Sequence, residues 1–226
     1  MSEPGPPITV ACPHCGGLAK YWSWFSAYIM GARLWSDGRR VAFGSPEIPE
    51  LARCPHCGRC YWLEDAARDE RAAPREDESP PWLPPPTEED CYRALDQGLG
   101  DTPEREKRLR LRAWHRHNDA LRGVVLDSLG LPEIAHPRAC PCGRWRDNLE
   151  ALVPLLAAEV AEEERLLAAE ALRELGRFEE ARALLESLRE PRLARIRDLL
   201  LARCRARDAQ LFELPARGEE EAGAPR

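Results

Sequence analysis

The first ten residues, MSEPGPPITV, lack the charged stretch and apolar segment of a secretory leader. Without a leader, the nine cysteines do not read as a secreted disulfide framework. A reducing, cytoplasmic setting is the expectation. Long hydrophobic runs are missing too: the most apolar stretch, YWSWFSAYIMGA, ends before Arg33, short of the roughly 18 to 20 residues that span a bilayer. No transmembrane segment is expected. The chain also lacks a basic field, since its net charge is -6 and its pI about 5.5, which disfavours nucleic-acid binding through overall charge.

What is present divides into two unlike halves. Four of the seven Trp lie before residue 65, together with hairpin-type turn chemistry, whereas the chain beyond residue 87 is rich in Ala, Leu, Glu and Arg. The expected class is α+β: a small β-rich module followed by an all-α helical-hairpin region. Asp37-Gly38, in WSDGRRVAF, lies between two short strand-like runs, and such a pair supplies the positive φ angles of a tight turn. Arg68 to Pro86 mixes charges with six Pro and reads as a linker. Thr87 opens a helix with the capping pattern T-E-E-D, and this helix ends at Gly98. Thr102-Pro103-Glu104 opens another, with Pro where the amide would be unpaired anyway. Further helices are expected from near Trp145, interrupted or restarted at Pro154 and running to Gly176, from Phe178 to Arg189, and from Pro191 to about Leu211. The domain reading is 1–65 for the β-rich module, 66–86 for an acidic Pro-rich linker, 87–214 for the helices and 215–226 for a disordered tail.

The chemistry-bearing motif occurs twice. Cys12-Pro-His-Cys15-Gly and Cys54-Pro-His-Cys57-Gly are the same five residues. Two thiolates two residues apart bite one cation, Pro stiffens the turn, and Gly after the second Cys lets backbone amides face the sulfurs. Two such knuckles supply the tetrahedral four-sulfur shell that zinc prefers. One structural Zn2+ on Cys12, Cys15, Cys54 and Cys57 is therefore expected, with iron in a rubredoxin-like site left open. A closed shell offers no position to activate water. The 38 residues between the knuckles exceed the roughly 15 to 20 of compact four-cysteine patterns, so the insert must carry structure. Trp22, Trp24, Phe25, Tyr28 and Trp35, with Tyr61 and Trp62, are candidates for a small core around the metal. His14 and His56, inside the knuckles, read as solvent-facing turn residues.

Weaker patterns have plainer readings. Cys140-Pro-Cys142-Gly resembles a half-knuckle that, with Cys60 and with His136 or Cys91, could complete a second metal site, but a Pro-stiffened turn with two reduced thiols is the favoured reading. Cys204 reads as helix core. His115 and Asp119 lie four apart on one helical face, a spacing that could serve ligation or proton transfer. No nucleophile, phosphate loop or second carboxylate accompanies them, so a packed Trp114 with a hydrogen-bonded polar edge is expected, and no enzymatic activity. Residues 103–122 carry seven Lys or Arg against three acids, and 66–90 carry eight acids against three Lys or Arg. The basic helix is thus expected to pair with an acidic segment of its own chain.

From Leu166 to Leu193, LLAAEALRELGRFEEARALLESLREPRL resembles a tetratricopeptide repeat. Ala168 and Ala169 stand where that family packs its first helix closely, Leu172 takes the aromatic position, and Gly176 makes the turn. Phe178 follows, and Ala181 is the close-contact alanine of the second helix. The usual Trp is Arg165 here, and the late Pro is displaced to Pro191. The hairpin spans about 162–195. It is the one repeat visible, where arrays generally need three or more, so flanking helices cap it or it packs on the rest of the chain. The order of ribbon, linker and helices, with RLWSDG and CPHCGRCYWLEDA near the front, also resembles uncharacterised bacterial zinc-ribbon proteins. The resemblance implies an architecture and no activity. A non-enzymatic scaffold binding another protein is the functional expectation. The alternative is a nucleic-acid or transcription-associated ribbon using Arg33, Arg39 and Arg40 with aromatic stacking.

Overall fold

A computed structural model of the chain describes residues 3–26, 31–42, 49–68, 79–127 and 143–215, and for 123–127 the backbone alone. The strands are β1 (Glu3–Ala11), β2 (Leu18–Ser26), β3 (Arg33–Trp35), β4 (Arg40–Val41), β5 (Leu51–Arg53), β6 (Cys60–Trp62), β7 (Ala67–Arg68) and β8 (Glu213–Leu214). The helices are α1 (Glu88–Asp96), α2 (Pro103–Asp127), α3 (Trp145–Ala157), α4 (Glu162–Glu174), α5 (Phe178–Ser187) and α6 (Ala194–Arg205). Short antiparallel strands towards the N-terminus and helices towards the C-terminus make this an α+β chain. Contacts divide it into two compact units, each discontinuous in sequence: Met1–Met30 with Ala42–Leu109, and Gly31–Val41 with Arg110–Arg226. The division read from composition, at 65/66 and 86/87, does not coincide with these boundaries.

In the first unit, β1 and β2 form a hairpin in register from Pro7↔Trp22 to Ala11↔Leu18. β7 pairs only with Val10 and Ala11. Among the described residues, Pro4, Pro6 and Pro7 therefore sit where β1 has one open edge, a position at which a missing N–H costs no ladder bond. β5 and β6 form a second hairpin, from Leu51↔Trp62 to Arg53↔Cys60. Among the described residues no ladder joins the two hairpins. The Pro-rich stretch is more than a tether. At its described end, the Lys20 amide donates to Pro81 O at 2.9 Å and the Leu83 amide to Lys20 O at 2.8 Å, and Leu83 enters the core with Val10, Cys12, Ala19, Ala52, Cys54 and Tyr61.

Thr87 caps α1 reciprocally with Asp90: its Oγ1 accepts from the Asp90 amide at 3.1 Å, and the Asp90 carboxylate accepts from the Thr87 amide at 3.0 Å. The far end of α1 holds β6, where the Cys60 amide donates to Gln97 Oε1 at 2.9 Å and Trp62 Nε1 to Leu99 O at 3.0 Å. The start of α2 belongs to this unit. There Arg105 pairs with Asp65 at 2.8 Å, and Arg108 with Glu64 at 3.2 Å and Glu50 at 3.3 Å, while the Arg108 guanidinium lies 4.4 Å from the Trp62 ring centre. Among the described residues, Arg105 and Arg108 of the basic run thus pair with Glu50, Glu64 and Asp65, where the sequence pointed to 66–90. Residues 69–78 of that segment lie outside the described residues. The aromatic core also differs from expectation. Tyr61 and Trp62 are buried, but Trp22 is 48% and Phe25 72% exposed, Trp35 belongs to the other unit, and Tyr28 lies outside the described residues.

The second unit is built from α2 beyond Arg110 and α3 to α6. Two apolar clusters hold it together. One joins Trp114, Leu149, Leu152, Leu156, Ala168, Ala171 and Leu175, and the other unites Leu166, Ala169, Leu172, Phe178, Ala181 and Leu185 with Leu200, Leu201 and Cys204. Gly176 reverses the chain between α4 and α5 at φ +78°. The Arg177 amide reaches back to Leu172 O and the Gly176 amide to Arg173 O, both at 2.9 Å, the paired closure that favours glycine at the left-handed position.

Into these helices fits a hairpin from between the two cysteine knuckles. β3 pairs with β4 on one side and β8 on the other, and Trp35 is buried. Asp37, at the turn, has no solvent exposure. Its carboxylate accepts from the Arg122 guanidinium and from Asn118 Nδ2 at 3.0 Å, and its carbonyl lies 3.0 Å from His115 Nε2. Glu174 accepts from Trp114 Nε1 at 2.8 Å and from Asn118 at 3.2 Å. Arg173 grips Glu170 through two bonds of 2.7 and 2.6 Å and donates to Gln210 O at 2.9 Å. Burial alone would raise the Asp37 carboxyl; the Arg122 guanidinium, with the Asn118 amide, brings it below its usual range. Glu174 goes the other way, pushed well above 4.5 by burial and by Glu170.

Two outcomes follow for unfolding measured by denaturant. Asp37→Ala leaves the buried Arg122 guanidinium short of its partner, so a loss of about 3 to 5 kcal/mol is expected. Because Glu174 takes up its proton more readily folded than unfolded, its contribution falls away as pH rises above about 4.5. Glu174→Gln should flatten that fall, and an unchanged pH slope would remove Glu174 as its source.

Candidate metal centre

The two knuckles are the turns of the two hairpins in the first unit. Cys12 follows β1 and Leu18 opens β2; Cys54 follows β5 and Cys60 opens β6. Both turns close identically. The Cys12 amide donates to Gly17 O at 3.0 Å and the Gly16 amide to Cys12 O at 2.9 Å; the Cys54 amide donates to Arg59 O and the Gly58 amide to Cys54 O, both at 2.9 Å. Gly16 and Gly58 hold φ at +71° and +72°, which a side chain resists. The repeated sequence has therefore produced a repeated backbone.

The four sulfurs converge within 4.8 Å of one another. Cys12 Sγ lies 3.9 Å from Cys57 Sγ, and Cys15 Sγ lies 3.7 Å from Cys54 Sγ. A tetrahedral ion with metal–sulfur bonds of about 2.3 Å separates its sulfurs by about 3.8 Å, so the spacing fits one such ion. In each knuckle the first cysteine is buried and the second exposed. The His14 and Cys15 amides face Cys12, and the Cys57 and His56 amides face Cys54, donors that suit sulfur carrying negative charge. Four thiols this close do not ionise independently. Burial pushes Cys12 up to about 12, whereas Cys54, despite its burial, is brought down to about 7 by those amides and by neighbouring thiols. A bound cation would override this, because a coordinating thiol is deprotonated outright. Tyr61 packs in the same cluster as Cys12 and Cys54, its hydroxyl buried and without a hydrogen-bond partner among the described residues, and burial followed by the four cysteines raises its pKa.

The other candidates do not assemble into a site among the described residues. Cys60 is buried, its thiol 3.5 Å from Asp90 O and pushed up to about 11 by burial and Asp90. Cys91 is buried, and His136, Cys140 and Cys142 lie outside the described residues. Cys204 is core. His115 and Asp119 serve separate partners: His115 meets the Asp37 carbonyl, and Asp119 accepts from Arg122 at 2.6 Å and Arg116 at 3.1 Å. Burial moves His115 downward, towards the neutral ring, against the pull of Asp37. Sequence reasoning missed the Asp37, Arg122, Asn118 and Glu174 cluster, whose members share no local motif. No protein-family model matches the chain, and comparison with curated proteins and with solved structures returned no match.

Metal analysis of protein prepared without chelator is expected to give one ion per chain, lost in Cys54→Ser together with the near-ultraviolet dichroism of Tyr61 and Trp62. Two ions, falling to one in Cys140→Ser/Cys142→Ser, would reveal a second site.

Proposed function

We propose that Cys12, Cys15, Cys54 and Cys57 hold one structural zinc ion in a ribbon-type module, and that the protein is a non-enzymatic scaffold whose helices engage another protein. The convergence of four sulfurs at tetrahedral spacing carries the metal reading. Zinc is the preferred occupant because four thiolates in a closed, redox-silent shell suit it, and because such sites contribute folding energy outright in modules too small for a self-sufficient core. Iron would fit the same spacing. A colourless metal-loaded protein agrees with zinc, whereas strong visible absorption would replace it with iron.

The scaffold reading rests on the α4–α5 hairpin, whose close contacts at Ala168, Ala169 and Ala181 and turn at Gly176 are in keeping with a tetratricopeptide-like unit. A reducing, cytoplasmic location accords with the described cysteines, which form no disulfide. Among the described residues no helix is long and apolar enough to cross a membrane. The nucleic-acid alternative loses ground on the charges it would use. Arg33 is paired with Glu213 and Arg39 lies 3.8 Å from Asp119, while Arg40 is exposed; of the basic run, Arg105 and Arg108 are engaged by acids of their own unit. A zinc enzyme built on His115 and Asp119 would need both to face one cleft, and each is committed to another contact.

Partner capture with the full chain is expected to survive nuclease and to be lost in Gly176→Val, which strains the α4–α5 turn while leaving metal content intact. Titration with labelled single- and double-stranded DNA and RNA at two salt concentrations should show no micromolar binding. Micromolar binding that weakens steeply with salt would be counterion release and would favour the nucleic-acid reading.

A further inference from the structure

The two knuckle histidines do something their sequence position does not announce. His14 Nε2 lies 3.1 Å from Cys60 O, and His56 Nε2 lies 2.8 Å from Leu18 O. Each ring therefore leaves its own turn and meets the first residue of the strand that follows the other turn. Cys60 is three residues beyond Cys57, and Leu18 three beyond Cys15, so the two contacts are equivalent positions exchanged between the knuckles. A carbonyl oxygen accepts and does not donate, which places the proton of each neutral ring on Nε2. One such contact in an exposed turn would be unremarked; the same contact twice, related by the sequence repeat, indicates a mutual brace.

The glycine pattern accords with this. A Cβ on Gly17 would stand 2.5 Å from Cδ2 and 2.8 Å from Cγ of His56, so the His56 ring occupies the space that a side chain at Gly17 would fill. The equivalent position after the second knuckle is Arg59. The brace matters because the hairpins it joins belong to different sheets and share no ladder among the described residues. The two imidazole contacts add directed bonds between the hairpins to the core packing of Val10, Cys12 and Ala19 with Ala52, Cys54 and Tyr61.

We infer that His14 and His56 are positioning residues of the metal centre: their crossed N–H···O=C bonds hold the two cysteine pairs at ligating distance and slow the departure of the ion. The inference rests on the metal reading above. Neither ring is a ligand. Each acts through the backbone of the opposite hairpin, as residues around a metal shell do when they orient the ligands.

The test uses the full chain loaded with zinc, and follows metal content and the rate of transfer to a chromophoric chelator. His14→Phe/His56→Phe keeps the ring volume and removes the donors. It should bind one ion per chain but release it about 10- to 100-fold faster than the wild type, with each single variant in between. His14→Gln and His56→Gln keep an N–H donor of similar reach and should recover most of the slow release. Gly17→Ala, which displaces the His56 ring without deleting a donor, should resemble His56→Phe. Should the double Phe variant fail to fold, the single Phe and Gln pairs decide. Wild-type release rates in the Phe variants would overturn the brace while leaving the metal reading intact, and equal acceleration by Phe and Gln would overturn it by showing that the donor is irrelevant. A wild-type chain that binds no metal would bring down both readings.

Discussion

Four sulfur atoms meet within 4.8 Å of one another although they ride on turns of hairpins that no backbone ladder joins among the described residues, and the core of the first unit is built around them. The β5–β6 ladder has three residue pairs, too few for a hairpin to stand alone in water. The apolar cluster beneath it is small, and two of its members, Cys12 and Cys54, are themselves candidate ligands. Core and sulfur cluster are therefore one object. The surrounding contacts follow from it: α1 fixes β6 through Gln97 and Leu99, Leu83 covers the β1–β2 hairpin, and Arg108 lies over Trp62. Removing charge balance from the sulfur cluster would disturb packing and ligation together.

The second unit solves a different problem, that of holding segments remote in sequence with buried polar groups. Asp37, Arg122, Asn118, Glu174 and the Glu170–Arg173 pair come from a turn and two helices, and their bonds reach the backbone near Gln210. Buried charge is seldom the most stable way to fill a core, since desolvation offsets most of the attraction. It is, however, directional. Arg122 satisfies Asp37 in one orientation of the turn, whereas an apolar contact would accept several. The chain passes between the units at 30/31, 41/42 and 109/110, so neither unit is a contiguous piece. A fragment starting at residue 87 would lack Trp35 and Asp37, and its helices would keep the polar groups those residues satisfy.

Much of the local structure was legible because its causes are local. Thr87 with Asp90, Pro103 at a helix start and Gly176 at a helix end act within a few residues of themselves, and those helix limits lie close to where the sequence put them. The duplicated CPHCG motif was legible for a related reason. A five-residue turn sets the bite of two thiols by its own geometry, so two copies announce four ligands before any fold is known. The aromatic core was misread because alternation and bulk do not say which side of a short hairpin is covered: Trp22 stacks on Trp82 at 4.4 Å near the surface, and Trp35 is buried in the other unit. The basic run was recognised as internally paired, but its described partners Glu50, Glu64 and Asp65 owe their closeness to how β6 meets α2.

By itself, then, the sequence determined the starts of α1 and α2, the reversal at Gly176, the two knuckle turns and the four cysteines, all of which depend on bonds closed within a few residues. The break it placed at Pro154 falls inside α3, and the last helix ends at Arg205 rather than near Leu211. Tertiary structure alone decided that a hairpin from the insert between the knuckles belongs to the helices, that Asp37 is buried against Arg122 and Asn118, and that His14 and His56 reach across to each other's hairpins. The physical reason is the same in each case. A hydrogen bond between positions 38, 46 or 85 residues apart depends on the placement of whole elements, and no local pattern of side chains encodes that distance.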